Sequence, residues 1–133
     1  MKILAIELTN EDAADIVHCA VEGGTNYWAE VQNYNWQEWY DEEQKNIKDL
    51  PDDYVFVEIR EDSDLVDPER FSNTWMQLTK HNLEKGVMAM IQNMPHLIHG
   101  IDNLGNGHVE MDLDATSCDV IVQYALFGEV IYG

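Results

Sequence analysis

Glu22 and Glu129 are the residues whose type could support acid–base chemistry, and they lie near opposite ends of the chain. Two carboxylates can share the general acid and general base roles when a fold brings them together. Nothing in the sequence fixes the distance between these two, and no ordered set of Ser, His and Asp supports a nucleophilic mechanism. We therefore predict no catalytic residue, no cofactor and a protein that is not an enzyme.

Metal binding would require the histidines near residue 100. His96, His99 and His108, together with Asp112, could in principle fill a zinc shell. Their spacing is loose and the segment contains several glycines, so surface histidines are the better interpretation and we predict no metal. Cys19 and Cys118 are the two cysteines, which we interpret as small buried residues in the reduced state.

Small residues in the first and last predicted helices would allow those helices to pack closely. Gly23 and Gly24 belong to the first, and Ala125 and Gly128 lie at the end of the last. The sequence predicts a candidate pocket between them, lined by Glu22, Tyr27, Trp28, Gln123 and Glu129. The alternative is a helix–helix seam that the aromatic side chains fill.

Charge is the outlying property of the composition. The chain has 26 acidic and 7 basic residues, a formal net charge of −19. Such a surface is repelled by phosphate backbones and by anionic lipid headgroups, so we predict neither direct nucleic-acid binding nor membrane binding. A partner protein with a basic surface is the natural electrostatic complement. The alternative is that the carboxylates only keep the domain soluble.

Residues 33–70 form a segment that is rich in aromatic and acidic side chains. Aromatic anchors can supply desolvated contact area while flanking acids steer a basic partner. The predicted partner-binding residues are Trp36, Trp39, Tyr40, Asp41, Glu42, Glu43, Glu61, Asp62, Asp64 and Asp67. The alternative places the aromatic side chains in the core and leaves the acids merely solvated.

Hydrophobic periodicity and capping residues predict the elements that position these side chains. Thr9 with Asp12 predicts the start of a helix whose apolar face continues to Val31, with a possible break at the glycine pair. Residues 32–53 are interpreted as a loop or short helix, and residues 94–108 as irregular. The other predicted elements are strands at 3–8, 54–59, 74–78 and 109–113, and helices at 79–93 and 116–127.

These elements predict one α+β domain spanning residues 1–133. Its small, largely antiparallel sheet of three to four strands would pack against three helices. Residues 1–8 lack the long apolar stretch of a secretion signal, and no segment has the length of a membrane span. We therefore expect an intracellular protein.

The motifs at the two ends of the chain comprise Glu22, Gly23, Gly24, Tyr27 and Trp28, then Asp114, Ala115, Asp119, the run Ile121–Glu129, and Gly133. With Leu78, Thr79, Leu83 and Gly86 in the middle of the chain, they resemble a family of small, acidic, uncharacterised proteins that bacteriophages and prophages encode. The acidic segment does not share this resemblance. The resemblance implies a viral origin and location in the host cytoplasm, and it implies no activity, cofactor or catalytic residue.

Charge and resemblance together predict a non-enzymatic, phage-encoded inhibitor that binds a host protein as a decoy for nucleic acid. A second hypothesis is a binder of a nucleotide signal, with Tyr27 or Trp28 stacked on the base in the candidate pocket. Basic side chains converging on that pocket would favour the second hypothesis. A third is a component of the virion or of its assembly.

Overall fold

The computed structural model of the chain describes residues 6–69, 72–94, 101–103, 109–111 and 113–133. Its regular elements, in chain order, are α1 (Asn10–Cys19), a π-helical turn (Ala20–Gly24), β1 (Ala29–Gln32), a 3-10 turn (Trp36–Glu38), β2 (Tyr40–Asp41), β3 (Asn46–Ile47), β4 (Val57–Glu61), β5 (Met76–Leu78), α2 (Lys80–Asn93), β6 (Ile101–Asn103), β7 (Val109–Met111) and α3 (Ala115–Phe127).

A three-stranded antiparallel sheet of order β1–β4–β5 forms beside the helices. Val31 of β1 pairs with Ile59, and Val57 at the other edge of β4 pairs with Leu78. Strands β2 and β3 form a separate hairpin, as do β6 and β7. The predicted α+β class, with a small antiparallel sheet and three helices, is confirmed for the part of the chain that the structure describes.

All three predicted helix starts are confirmed, because a side chain caps each of them. The side chains of Thr9 and Thr79 each accept a hydrogen bond from the backbone N–H three residues later, and the backbone N–H of each threonine donates to the side chain of that same residue in a reciprocal capping box. Asp114 accepts from the backbone N–H of Ser117. Gly128 ends α3 in the left-handed conformation at φ 74°, where glycine is least costly.

The apolar helical face does not continue to Val31, and the helical conformation ends at Gly24, at the glycine pair where the alternative placed a break. Helix α1 ends at Cys19, the π-helical turn follows, and β1 begins at Ala29. The periodic apolar residues beyond the glycines are used differently, since Trp28 lies in the core and Val31 pairs across the sheet. Pairing with β4 decides the structure here, and a helical pattern cannot reveal it.

Other predicted strands lie close to the observed ones, but their partners differ. β4 begins three residues later than predicted, and β7 pairs with β6 rather than joining the main sheet. β6 itself lies in a segment that we predicted to be irregular. Of the predicted first strand, Glu7 forms a single bridge, and residues 1–5 lie outside the described residues.

Helix α3 is the centre of the core, and two glycines allow other helices to approach it. A Cβ atom on Gly24 would lie 2.7 Å from the carbonyl oxygen of Ala115. A Cβ on Gly86 of α2 would overlap the carbonyl oxygen of Ile121. Both obstacles are backbone atoms of α3, so a methyl group at either position requires the helices to separate.

Gly24→Ala and Gly86→Ala are therefore expected to destabilise the fold by about 1–3 kcal/mol each, the usual cost of overpacking. Gly23→Ala is the matched control, because no atom lies within 4 Å of the position that its new methyl group would take. It should be neutral or slightly stabilising. Urea unfolding monitored by tryptophan fluorescence measures all three, and equal effects at Gly23 and Gly24 would contradict the close-packing explanation.

Candidate functional site

Asp119 is a buried carboxylate, 7% exposed, in the second turn of α3. The indole Nε1–H of Trp28 donates to its Oδ1 at 2.8 Å, and the hydroxyl of Tyr27 donates to its Oδ2 at 2.5 Å. Gln123, one turn further along α3, donates its Nε2–H to Oδ1 at 2.9 Å. Three donors therefore satisfy a carboxylate that burial would otherwise strongly penalise.

Gln123 extends this network to the segment that follows α3. Its side-chain oxygen accepts hydrogen bonds from the backbone N–H groups of Ile131 and Tyr132, both at 2.8 Å. The Tyr132 ring then stacks on Trp28, with 5.2 Å between centroids and 15° between planes. Its hydroxyl donates to Glu61 at the end of β4. The Asp119 network therefore connects α3 with the segment before β1 and with the segment after α3. Through Tyr132 it also reaches the end of β4.

The five predicted pocket residues are only partly brought together. Tyr27, Trp28 and Gln123 meet at Asp119, whereas Glu22 lies 3.6 Å from His18 on the exposed surface of the preceding turn. Glu129 is exposed. For Trp28 and Gln123 the structure thus favours the alternative interpretation, a filled seam, and neither glutamate takes part in it.

Asp119 itself was not singled out as a site residue by sequence reasoning. The available signal was its position four residues before Gln123 in a helix that is otherwise apolar at that point. Two polar side chains on one turn of a buried helix predict a hydrogen bond between them. The other two donors to Asp119, Tyr27 and Trp28, lie about 90 positions away, and the sequence does not pair them with it.

An open cavity of about 490 Å³ lies beside this network. Its lining includes Gly23, Gly24, Tyr27, Asp119 and Tyr132, and among the described residues that line it there is no Lys or Arg. A carboxylate and carbonyl groups do not complement a phosphate. The convergence of basic side chains that would have favoured a nucleotide-signal binder is therefore not found in this cavity.

Two of the predicted partner-binding residues belong to the interior. Trp39 is 2% exposed and packs edge-on against Phe56, with ring centroids 5.0 Å apart. Glu61 is 6% exposed and accepts the hydroxyl proton of Tyr132. Both side chains are buried, so for these two the prediction of an exposed partner-binding side chain is corrected. The core interpretation of the aromatics holds for Trp39.

The other predicted partner-binding residues divide between two surface segments. Trp36 and Tyr40 remain 42% and 38% exposed at the β2–β3 hairpin, whose turn carries the exposed Glu42 and Glu43. Asp41 accepts two backbone N–H groups of that turn, those of Glu43 and Gln44. The second segment is the loop after β4, which carries Asp62, Asp64 and Asp67.

Carboxylates in the loop after β4 also shape its backbone. Asp62 accepts the backbone N–H of Asp64 at 2.9 Å, and Asp67 accepts that of Glu69 at 3.0 Å. Side chains that fold back on their own loop in this way are typical of tight turns. Asp62 and Asp67 therefore have a local structural role besides any contribution to surface charge.

Two cavities lie where α1 faces the hairpin, and both are lined by Ile47. The smaller, about 180 Å³, is lined by Ala14, Asp15, His18, Trp36, Trp39 and Tyr40. The larger, about 430 Å³, has three carboxylates in its lining, those of Glu11, Asp41 and Asp49, and one basic side chain, that of Lys48. We call this surface the hairpin face and define it as Glu11, Asp15, Trp36, Tyr40, Asp41, Glu42, Glu43 and Asp49.

Electrostatics on the hairpin face are dominated by carboxylates. Partial burial, followed by the nearby charges of Glu11 and Asp12, raises the pKa of Asp15 above its usual range. Burial is the larger cause of this shift, the two neighbouring carboxylates add to it, and His18 opposes it.

Metal and thiol chemistry receive no support from the described part of the chain. Within it, no group of three potential metal ligands occurs, and the histidines and aspartate considered for zinc (His96, His99, His108 and Asp112) lie outside it. Both cysteines are unpaired, Cys118 is buried as predicted and Cys19 partly so, and burial raises the pKa of the Cys118 thiol. Among the helices described, none is long and apolar enough to cross a membrane.

Comparisons of the chain with protein-family models, with curated proteins and with solved structures found no match. The resemblance to small acidic phage proteins is therefore still a prediction.

Removal of the Asp119 carboxylate should destabilise the fold strongly. Asp119→Ala leaves the buried Trp28 indole without its acceptor and removes one acceptor each from Tyr27 and Gln123, a loss of roughly 2–4 kcal/mol. Glu129→Ala also removes one carboxylate from the same end of the chain, but from an exposed position, so it should change stability little. Chemical denaturation compares them, and a similar effect of both variants would show that the network is not structurally important.

Ionisation of Tyr27 should make the free energy of unfolding depend on pH in the alkaline range. Burial, then the Asp119 carboxylate, raises the pKa of Tyr27 well above its ordinary 10.0. The folded chain keeps this proton where the unfolded chain releases it, so its stabilisation is complete below about pH 10 and lost as pH rises further. Tyr27→Phe should cost about 1 kcal/mol at pH 7, for one lost hydrogen bond.

The difference in unfolding free energy between the wild type and Tyr27→Phe should shrink between pH 10 and pH 11. Tyr124→Phe, which removes a half-buried hydroxyl outside the network, controls for general tyrosine ionisation. A difference that stays constant up to pH 11 would be incompatible with a raised Tyr27 pKa.

Proposed function

We propose that this chain is a phage-encoded, non-enzymatic inhibitor that binds a basic surface of a host nucleic-acid-handling or defence protein in place of nucleic acid. The observation that supports it most is the hairpin face, where exposed Trp36 and Tyr40 are surrounded by carboxylates from α1 and from the hairpin. This combination is suited to a partner that offers cationic side chains.

Few of the acidic charges are neutralised within the chain. In the described residues the ion pairs are His18–Glu22, Arg60–Glu30 and Lys80–Asp52, and none of them involves a carboxylate of the hairpin face. Three carboxylates of the described residues therefore have a basic partner, and the chain as a whole has a formal net charge of −19, which gives it a negative field. Such a field accelerates association with a basic partner and repels nucleic acid.

Exposed aromatic side chains support a role for the hairpin face beyond keeping the chain soluble. Carboxylates alone would keep the chain dissolved, but Trp36 and Tyr40 expose large apolar area to water at the same place. Tryptophan and tyrosine are enriched among residues that dominate binding energy at interfaces. Their position among the acids supports a binding role for the hairpin face.

The proposal is tested by capturing proteins from host lysate on the tagged chain at low salt. The captured proteins are then washed in 0.5 M salt. We expect one basic nucleic-acid-handling or defence protein, identified by mass spectrometry and released by the salt. The purified chain should then inhibit binding of nucleic acid by that protein. Unchanged affinity in 0.5 M salt, or simultaneous binding of chain and nucleic acid, would contradict the decoy mechanism.

Two triple variants that remove equal charge separate contact from long-range attraction. The hairpin variant removes three of the six carboxylates of the hairpin face through Glu42→Gln, Glu43→Gln and Asp49→Asn. The loop variant removes three carboxylates from the loop after β4 through Asp62→Asn, Asp64→Asn and Asp67→Asn. Both should slow association, but the hairpin variant should also dissociate faster, with about tenfold weaker affinity. Equal effects of the two variants would count against the hairpin face as the contact site.

A further inference from the structure

We propose that the 180 Å³ cavity between α1 and the hairpin receives an arginine side chain of the partner protein. This inference rests on the proposed function, because the arginine belongs to the basic surface that the chain is proposed to bind. We call the cavity the aromatic pocket. Its lining comprises Ala14, Asp15, His18, Trp36, Trp39, Tyr40 and Ile47.

Three aromatic rings and two aliphatic side chains give the pocket its apolar lining. Trp39 is fixed in the core, whereas Trp36 and Tyr40 are partly exposed at the pocket's edge. Aromatic faces attract cations through their quadrupole, and the planar guanidinium group of arginine also stacks on them. Such a lining therefore suits the stem and head of an arginine better than a fully hydrated anion or a phosphate.

Asp15 supplies a carboxylate to the same pocket, and Glu11 and Asp12 lie on the same helix. A guanidinium can form charge-assisted hydrogen bonds with a carboxylate while its plane contacts a ring. His18 also lines the pocket, where its ring centroid lies 6.0 Å from that of Trp36 and its charge, when protonated, lies near Asp15. Nδ1 lies 2.6 Å from the Tyr34 hydroxyl, and Nε2 lies 3.6 Å from Glu22.

The chain contains one arginine held by this same combination of groups. The guanidinium carbon of Arg60 lies 4.3 Å from the centroid of a Trp75 ring, and its nitrogens bind the carboxylate of Glu30. There the carboxylate comes from β1 and the aromatic ring from the residue that directly precedes β5. In the aromatic pocket the equivalent groups, Trp36 and Asp15, are present without an arginine of the described chain between them.

The test uses the whole chain and two short peptides in low salt. One is acetyl-Gly-Arg-Gly-amide, and the other contains citrulline, which keeps the shape of arginine but has no charge. Binding is followed through the indole N–H signals of the tryptophans by two-dimensional NMR. We expect the arginine peptide to shift the Trp36 and Trp39 signals saturably and the citrulline peptide to leave them unchanged.

Variants identify the groups responsible. Trp36→Ala and Asp15→Asn should each weaken binding of the arginine peptide by about fivefold or more. Asp64→Asn removes the same charge from the loop after β4 and should have little effect, so it controls for the general field. Equal binding of both peptides, or equal weakening by Asp15→Asn and Asp64→Asn, would overturn the arginine pocket.

Failure of this inference can be distinguished from failure of the proposed function. If the chain captures a basic partner in a salt-sensitive way and Trp36→Ala leaves that affinity unchanged, the pocket inference fails and the proposed function stands. If the arginine peptide binds the pocket but the chain displaces no nucleic acid from a partner protein, the decoy mechanism fails. If Trp36→Ala weakens both peptide and partner binding, both are supported.

Discussion

The Asp119 carboxylate lies in the interior of the molecule, and its need for hydrogen-bond donors constrains every element around it. Burial of an unpaired carboxylate would cost several kcal/mol, so its oxygens must receive donors that water no longer supplies. Trp28 and Tyr27 donate from the segment before β1, and Gln123 donates from α3 itself. The first helix must therefore end early enough for the chain to turn back towards α3 and enter the sheet.

A chain with so few cations satisfies its buried acids in an unusual way. Asp119 and Glu61 are both buried, and their described partners are the indole, phenol and amide groups of Trp28, Tyr27, Gln123 and Tyr132 rather than Lys or Arg. Neutral donors stabilise a carboxylate without cancelling its charge. The scarce basic side chains are consequently not required in the core, and the molecule as a whole retains its strongly negative field.

Local signals in the sequence predicted what local interactions decide. Thr9, Thr79 and Asp114 start helices because each cap satisfies backbone groups three residues away, and Gly128 ends α3 for a similarly local reason. Trp39 could not be assigned to the core from the composition of its neighbours, because burial depends on contacts with Phe56. The same limit applies to Asp119, whose donors lie about 90 residues away in sequence, and to the pairing of β1 with β4.

Trp39 connects the interior to the hairpin face. Its ring is held between Phe56 and Tyr34, and its carbonyl oxygen accepts the backbone N–H of Lys48 on the returning side of the hairpin. A hairpin of two-residue strands would be marginal alone, so this buried anchor is what fixes it against α1. Trp36 and Tyr40 flank the anchor in sequence and are therefore held in place while still exposed. Surface aromatics that are already ordered lose little further entropy on binding, which favours recognition by a rigid surface over folding on contact.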